Sequence, residues 1–320
     1  MTENTPLIST VIATYNRPLL VTRAVRSALN QTLQNIEVIV IIDGPNDDNA
    51  VALGAIADRR LKVHTLPSRQ RLAAARNAGV ALARGKWIAL LDDDDEWLPH
   101  KLEKQLATAE QSPYQYPIVA SQLIARNEWG DRIWPRRTPE PDENLSEYLL
   151  CQRSLFAGDG LVLPSVIFTS KELLTTMPLR RVCKSGVGGD IDWLLRALRA
   201  EGVGLEFVSP PEPLAIWNMQ EKRDRLSTTG SWRDSLSWIS TNEELATPRA
   251  RASYILTWVS KEARKANDLK AMGTLLHNAF RIGRPDWRSL LAFLIIWFVP
   301  QSFRTRATRV HKPVGSRSMR

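Results

Sequence analysis

Four aspartates in succession, Asp92, Asp93, Asp94 and Asp95, follow directly on the apolar run of residues 87–91. Their charges repel one another, so only a cation or a set of hydrogen-bond donors makes the arrangement comfortable. Carboxylate oxygens grouped this way suit Mg²⁺ or Mn²⁺, which keep several waters and bridge to substrate phosphates. The plainer use is a solvated turn in which one aspartate caps the next helix. Two more polar clusters end apolar runs in the same manner. Thr14-Tyr15-Asn16 closes residues 7–13, and Asp43-Gly44 closes residues 37–42. Taken singly, Tyr15 could be a half-buried aromatic at a strand end and Asp43 a turn former before glycine.

The runs that carry these clusters read as strands. Residues 7–13, 37–42 and 87–91 are largely apolar without clean alternation, as in a sheet covered on both faces, and residues 61–66 make a further strand in the series. Between them the period changes to helical. Leu20, Ala24, Val25, Ala28 and Leu29 recur on one face, and Asp47 or Asp48 can cap a helix reaching Ala57. Residues 72–83 are alanine-rich, and Leu102 and Leu106 share a face of a helix starting near Pro99. Strand and helix in alternation predict a parallel α/β sheet with right-handed crossovers. Ligands of such sheets bind beyond the carboxyl ends of the strands, where all three polar clusters fall. Farther on, residues 116–124 and 162–168 read as strands and 134–144 as a loop. Helical spacing returns at Ile191, Leu194, Leu195 and Leu198, and again from about Arg249.

Four segments in order resemble family 2 glycosyltransferases, inverting enzymes of the GT-A fold. They are Val11-Ile-Ala-Thr-Tyr-Asn-Arg-Pro18, Glu37-Val-Ile-Val-Ile-Ile-Asp-Gly44, Leu72-Ala-Ala-Ala-Arg-Asn-Ala-Gly79 and Leu91-Asp-Asp-Asp-Asp-Glu-Trp-Leu-Pro99. The likeness covers residues 6–110 and continues weakly to 225. It implies a Rossmann-like, mostly parallel GT-A catalytic domain over 1–225, with a donor half (1–110) and an acceptor half (111–225). A helical C-terminal extension over 226–320 follows. By position, the resemblance places Thr14 and Tyr15 beside the nucleobase and Asp43 as the carboxylate that reads it. It puts Arg71 or Arg76 near the base or the diphosphate, Asp92 and Asp93 near the ribose, and Asp94 as the ligand of Mn²⁺ or Mg²⁺. Ile42 stands where the family usually has a first acid before Asp43, so base identity is less defined than donor binding. Uridine is the base the family favours.

Transfer also needs a base to take the acceptor hydroxyl's proton. The segment Gly186-Val-Gly-Gly-Asp-Ile-Asp-Trp193 resembles the family's glycine, acid-acid, helix pattern, in which the second acid is that base. Asp190 occupies its place, Gly189 stands at the first acid, and Asp192 is read as supporting. Without the resemblance, Asp190 could equally be a helix N-cap. The implied reaction is a single displacement. It carries a sugar from a nucleoside diphosphate to a hydroxyl in cell-surface polysaccharide, lipopolysaccharide or glycolipid synthesis.

Other chemistries fit the sequence poorly. Gly79 to Lys86 has the wrong glycine spacing for a phosphate loop, no Gly-x-Ser-x-Gly occurs, and the four histidines lack ligand spacing. After Gln220-Glu-Lys-Arg223, Asp224 stands where processive synthases carry tryptophan, so single addition is expected. Two rivals remain. A sugar-nucleotide-forming nucleotidyltransferase would need a Gly-rich basic loop after the first strand, which residues 13–18 are not. A non-catalytic nucleotide-sugar-binding scaffold would be indifferent to the loss of Asp190.

The 320 residues are 43% hydrophobic and 24% charged, enough for a sizeable core. Cys151 and Cys183 build neither a disulfide framework nor a metal cluster, and the N-terminus lacks a secretory layout. A cytoplasmic protein is therefore expected, peripheral at the inner face of the membrane if its C-terminal segment is an anchor. Nearly all of the net charge of +9 lies in residues 281–320, where nine basic residues face Asp286 as the sole acid. Such a tail wants an anionic membrane or nucleic acid, and the glycosyltransferase resemblance gives no reason to expect nucleic acid. Within it, residues 290–299 hold Phe293, Trp297 and Phe298 between arginines. That run is half of what a spanning helix needs, so it is either an interfacial anchor or a helix packed on the protein.

Overall fold

A computed structural model describes residues 5–153, 159–182, 189–219 and 231–299. The polar segment at 220–224, Cys183, Gly186 and the basic residues beyond 299 lie outside the described residues. The chain divides into two compact units, one built from 1–124, 162–182 and 188–219, the other from 125–161, 183–187 and 220–320.

In the first unit every residue of β1 (Ile8–Thr14) is buried. α1 (Pro18–Leu29) follows, with proline in its first turn and Val21, Ala24, Val25, Ala28 and Leu29 buried. β2 (Ile36–Ile42) is again wholly buried. Each fully buried Ile, Leu or Val here contributes roughly 1.5–3 kcal/mol relative to exposure. α2 (Asp47–Gly54) stops short of Ala57 and is capped by Asn46 rather than by Asp47 or Asp48. The Asn46 side chain accepts from the Asn49 N–H at 2.9 Å. The two acids sit in the first turn, where the helix dipole favours them.

β3 (Leu61–Thr65) is largely exposed at the sheet's edge, so it is not covered on both faces as its neighbours are. α3 (Leu72–Leu82) then crosses back, and β4 (Trp87–Asp92) is buried up to its last residue. Alanine and Gly79 let α3 lie close on the sheet. A Cβ on Gly79 would sit 2.5 Å from Val11 Cγ1 and 3.3 Å from Ile41 Cγ1.

Short β5 (Glu96–Trp97), α4 (Lys101–Gln111) and β6 (Tyr116–Ala120) continue the chain. The single strand expected over 116–124 is two, because β7 (Gln122–Asn127) starts anew after Ser121. β8 (Gly130–Trp134) and α5 (Leu145–Leu150) belong to the second unit. The run at 162–168 also departs from expectation. Proline nucleates a 3₁₀ turn at Pro164–Val166, and only β9 (Phe168–Ser170) is strand. α6 (Lys171–Thr176), α7 (Gly189–Ala197), β10 (Val203–Phe207) and β11 (Pro213–Asn218) complete the first unit.

The main sheet has seven strands in the order β10-β6-β9-β4-β1-β2-β3. β1 is parallel to β2 and β4, β2 to β3, and β6 to β10, while β9 is antiparallel to β4 and β6. Register sets up the carboxyl edge. Thr14 lies opposite Ile42, and Ala13 opposite Asp92, so all three polar clusters leave the sheet side by side.

The second unit is helical at its C-terminal end. It holds α8 (Trp232–Thr241), α9 (Pro248–Tyr254), α10 (Ser260–Lys265), α11 (Ala271–Arg281) and α12 (Trp287–Phe298). A π-helical stretch, Ile255–Val259, joins α9 to α10, and α8, α11 and α12 pack against it. α12 buries Ser289, Ala292, Phe293, Ile296 and Trp297. Among the described residues no helix is long and apolar enough to cross a membrane.

Candidate active site

The end of β4 carries the acids, and protein donors sort them. Asp93 turns inward. It is buried, and its carboxylate accepts from Thr14 Oγ1 at 2.8 Å and from Arg17 Nη1 at 2.9 Å. Burial pushes the Asp93 carboxyl above the usual range against the pull of Arg17. Asp95 is also buried and accepts from Ser165 Oγ at 2.6 Å. Asp94 stays partly exposed, with Arg17 Nη1 3.4 Å from its carboxylate. Its backbone carbonyl accepts from Arg23 at 3.0 Å and from Asn218 at 3.3 Å. These donors fix the turn while leaving Asp92 and Asp94 open to solvent.

Arg76, on the second turn of α3, joins this cluster to Asp190. Its guanidinium is buried, yet Nη1 donates to Asp190 Oδ1 at 2.5 Å and Nη2 donates to Asp92 Oδ1. Burial disfavours the cation, but the charges of Asp190 and Asp92 outweigh it and the guanidinium is held firmly protonated. The two acids are different. Their side chains remain 29% and 32% exposed, for Asp92 and Asp190 respectively, so each keeps a solvent-facing side. Asp190 is the second residue of α7, inside the first turn, where the helix dipole favours an anion. It is nevertheless hemmed in closely enough that burial pushes its carboxyl up, against the pull of Arg76. Asp192 points elsewhere. It is fully buried, accepts from Arg180 Nε and Nη2 at 2.8 and 2.7 Å, and pairs with Arg196 Nε at 2.8 Å. Those contacts brace α7.

On the β2 side, Asp43 is buried. Its oxygens accept from the backbone N–H groups of Gln70 (2.6 Å) and Arg71 (2.9 Å). Arg71 takes a left-handed backbone, φ 77°, at the start of α3, so Asp43 pins a strained turn. Thr14 is buried, whereas Tyr15 is exposed with the Arg69 guanidinium 3.8 Å from its ring centroid. The sequence picks out Thr14, Tyr15, Asp43, Arg71, Arg76 and the acids, and all of them lie at this carboxyl edge or at the helix start behind it. It does not pick out Arg17, Arg69, Ser165 or Asn218. Arg17 lies inside a quoted motif, but Ser165 and Asn218 carry no local signal and arrive through the fold.

A divalent cation fits part of this edge. Asp92, Asp94 and Asp95 each offer a carboxylate oxygen, all within 4.8 Å of one another. Hard oxygen donors at that spacing suit Mg²⁺ or Mn²⁺. The sequence names Asp94 from this group; Asp92 and Asp95 join it in space, while Asp93 points away.

The sequence profile described as Glycosyl transferase family 2 matches residues 9–174, just over half of the chain. The amylovoran biosynthesis glycosyltransferase AmsB of Erwinia amylovora is 26% identical over 254 residues, covering 77% of this chain and 81% of that protein. The UDP-Glc:alpha-D-GlcNAc-diphosphoundecaprenol beta-1,3-glucosyltransferase WfaP of Escherichia coli is 37% identical over 100 residues, 31% of this chain and 40% of that one. For several curated relatives the match spans only 33–42% of the relative's own length. In three dimensions, the mannosyltransferase PcManGT of Pyrobaculum calidifontis, solved with GDP-Man and Mn²⁺, superposes with a TM-score of 0.56. The overlay covers 96% of this chain and 84% of that one at 15% identity. Likeness at that identity speaks to the fold, which is of the GT-A type with a helical C-terminal region.

Proposed function

Because the chain belongs to glycosyl transferase family 2, we propose that it is an inverting, metal-dependent glycosyltransferase that takes a sugar from a UDP-sugar. The acceptor is a hydroxyl on a lipid-linked or polysaccharide substrate of cell-envelope synthesis. The reading rests on the buried Arg76, which holds Asp92 of the acidic cluster and Asp190 on its two amino groups. A donor-side acid and a base candidate are thereby fixed across one guanidinium. The UDP donor and the lipid-diphosphate acceptor are suggested by the name of the Escherichia coli relative, and the polysaccharide setting by that of the Erwinia amylovora relative.

Asp92, Asp94 and Asp95 are the residues that would hold the cation. When bound, it neutralises the diphosphate and stabilises it as a leaving group. The chain's own groups do the rest. Asp43 orders the turn before α3 and retains lone pairs for the base's imide N–H, since a carboxylate can accept about four hydrogen bonds. Tyr15 and Arg69 flank the nucleobase. Asp93 serves the ribose side by fixing Thr14 and Arg17. Arg71 lies at the start of α3, toward the diphosphate. Arg76 occupies one oxygen of Asp190, and the other receives the acceptor's proton as the hydroxyl oxygen bonds to the anomeric carbon. The carbon–diphosphate bond breaks on the opposite face, so one displacement inverts the centre.

The test is release of nucleoside diphosphate from a panel of nucleotide sugars, with acceptor-lipid extract, in Mn²⁺ and in EDTA. Donor-selective release that is abolished by EDTA and by Asp94→Ala is the expected result. Turnover unaffected by both would overturn the proposal.

A further inference from the structure

α12 is two-faced. At 3.6 residues per turn, Trp287, Leu291, Leu294 and Phe298 fall within about 60° of one another on the helix. They are between 36% and 68% exposed, whereas Phe293, Ile296 and Trp297 on the opposite side are almost fully buried. Thus, of the three aromatics that look like an anchor in the sequence, Phe293 and Trp297 belong to the core and Phe298 faces outward. Trp287, Leu291 and Leu294 face outward with it, and Phe280 on α11 is exposed as well. Arg281 and Arg284 are exposed just before this stripe. From Trp287 to the last residue of the sequence there are seven basic residues and no acid.

We propose that this stripe of α12 is a docking surface for an anionic lipid bilayer. Four large apolar side chains aligned on an exposed helix, two of them aromatic, have the make-up of an in-plane interfacial helix. Charge selects the occupant: nearby basic residues are attracted to anionic headgroups and lose that attraction as salt rises. A second copy of the chain would instead bring the same positive charges against themselves. The helix is 12 residues, so it lies on the surface rather than crossing it. The proposal concerns this surface alone and stands whatever sugar the active site uses.

The experiment is co-sedimentation of the full chain with phosphatidylcholine vesicles containing or lacking phosphatidylglycerol, at low and at high salt. The controls are Leu291→Glu/Leu294→Glu and the milder Trp287→Ser, each checked by circular dichroism and melting temperature. Binding to the anionic vesicles, reduced at high salt and roughly tenfold or more weaker in the folded variants, is the expected outcome. Equal binding by folded variants would overturn it, as would no binding by the parent chain. A dimer of the parent chain that the same substitutions disperse, without vesicle binding, would also overturn it in favour of self-association.

Discussion

Arg76 is buried while the two acids it holds are not, so it acts as a platform under them. Lysine would keep the charge but lose the planar fork that reaches both acids at once. Arg76→Lys is therefore expected to fold, with melting temperature close to the parent's, and to lose roughly tenfold or more in kcat. An unchanged kcat would show that Arg76 has no part in the reaction. The acids are legible in the sequence because four adjacent like charges after a core strand have few comfortable uses. Their partners are not, since Arg17 and Asp93 lie 76 residues apart and meet only when β1 and β4 pair. Asp43 is legible as a polar residue closing a strand, but its work on the Gln70 and Arg71 N–H groups depends on where α3 begins.

Elements are legible where burial and period agree. β1, β2 and β4 are mostly apolar runs that the fold buries, and α1 and α3 carry helical spacing. β9 is not, because three residues after a 3₁₀ turn carry no period, and nothing local sets a strand antiparallel to both neighbours. The close seating of α3 predicts that Gly79→Val destabilises by about 1–3 kcal/mol through overpacking against Val11. Denaturant melts measure this, and a variant as stable as the parent would contradict the tight contact. In the second unit, α12 depends on Asp286, whose carboxylate accepts from Ser289 N at 2.8 Å and pairs with Arg249 at 2.9 Å. Burial pushes the Asp286 carboxyl up, but these donors outweigh it and hold it below the usual range. With the folded value depressed, its stabilisation is complete above the unfolded aspartate range, about pH 4, and fades as pH falls through the folded value. Asp286→Ala should cost about 0.5–2 kcal/mol at neutral pH and progressively less in acid, as read from melting curves. A penalty independent of pH would contradict this.

At the scale of the whole molecule, the seven-stranded sheet collects the candidate site at one edge of one unit, and the helical unit carries the exposed stripe of α12. The parallel α/β class is readable from alternating periods, and the site's location from the rule that ligands bind at strand carboxyl ends. The two faces of α12 are not readable, because every position from Leu290 to Val299 is apolar and only packing decides which side is covered. The proposed reaction turns on Asp190 as the base of a sugar transfer. The most direct test compares nucleoside diphosphate release by the parent chain and by Asp190→Asn, alongside the thermal shift each shows with the donor in Mn²⁺. A rate reduced by roughly 10²–10⁴-fold with the donor-induced shift retained is the predicted result. A rate within a few-fold of the parent, or a lost shift together with a lost rate, would contradict the assignment of Asp190 as the base.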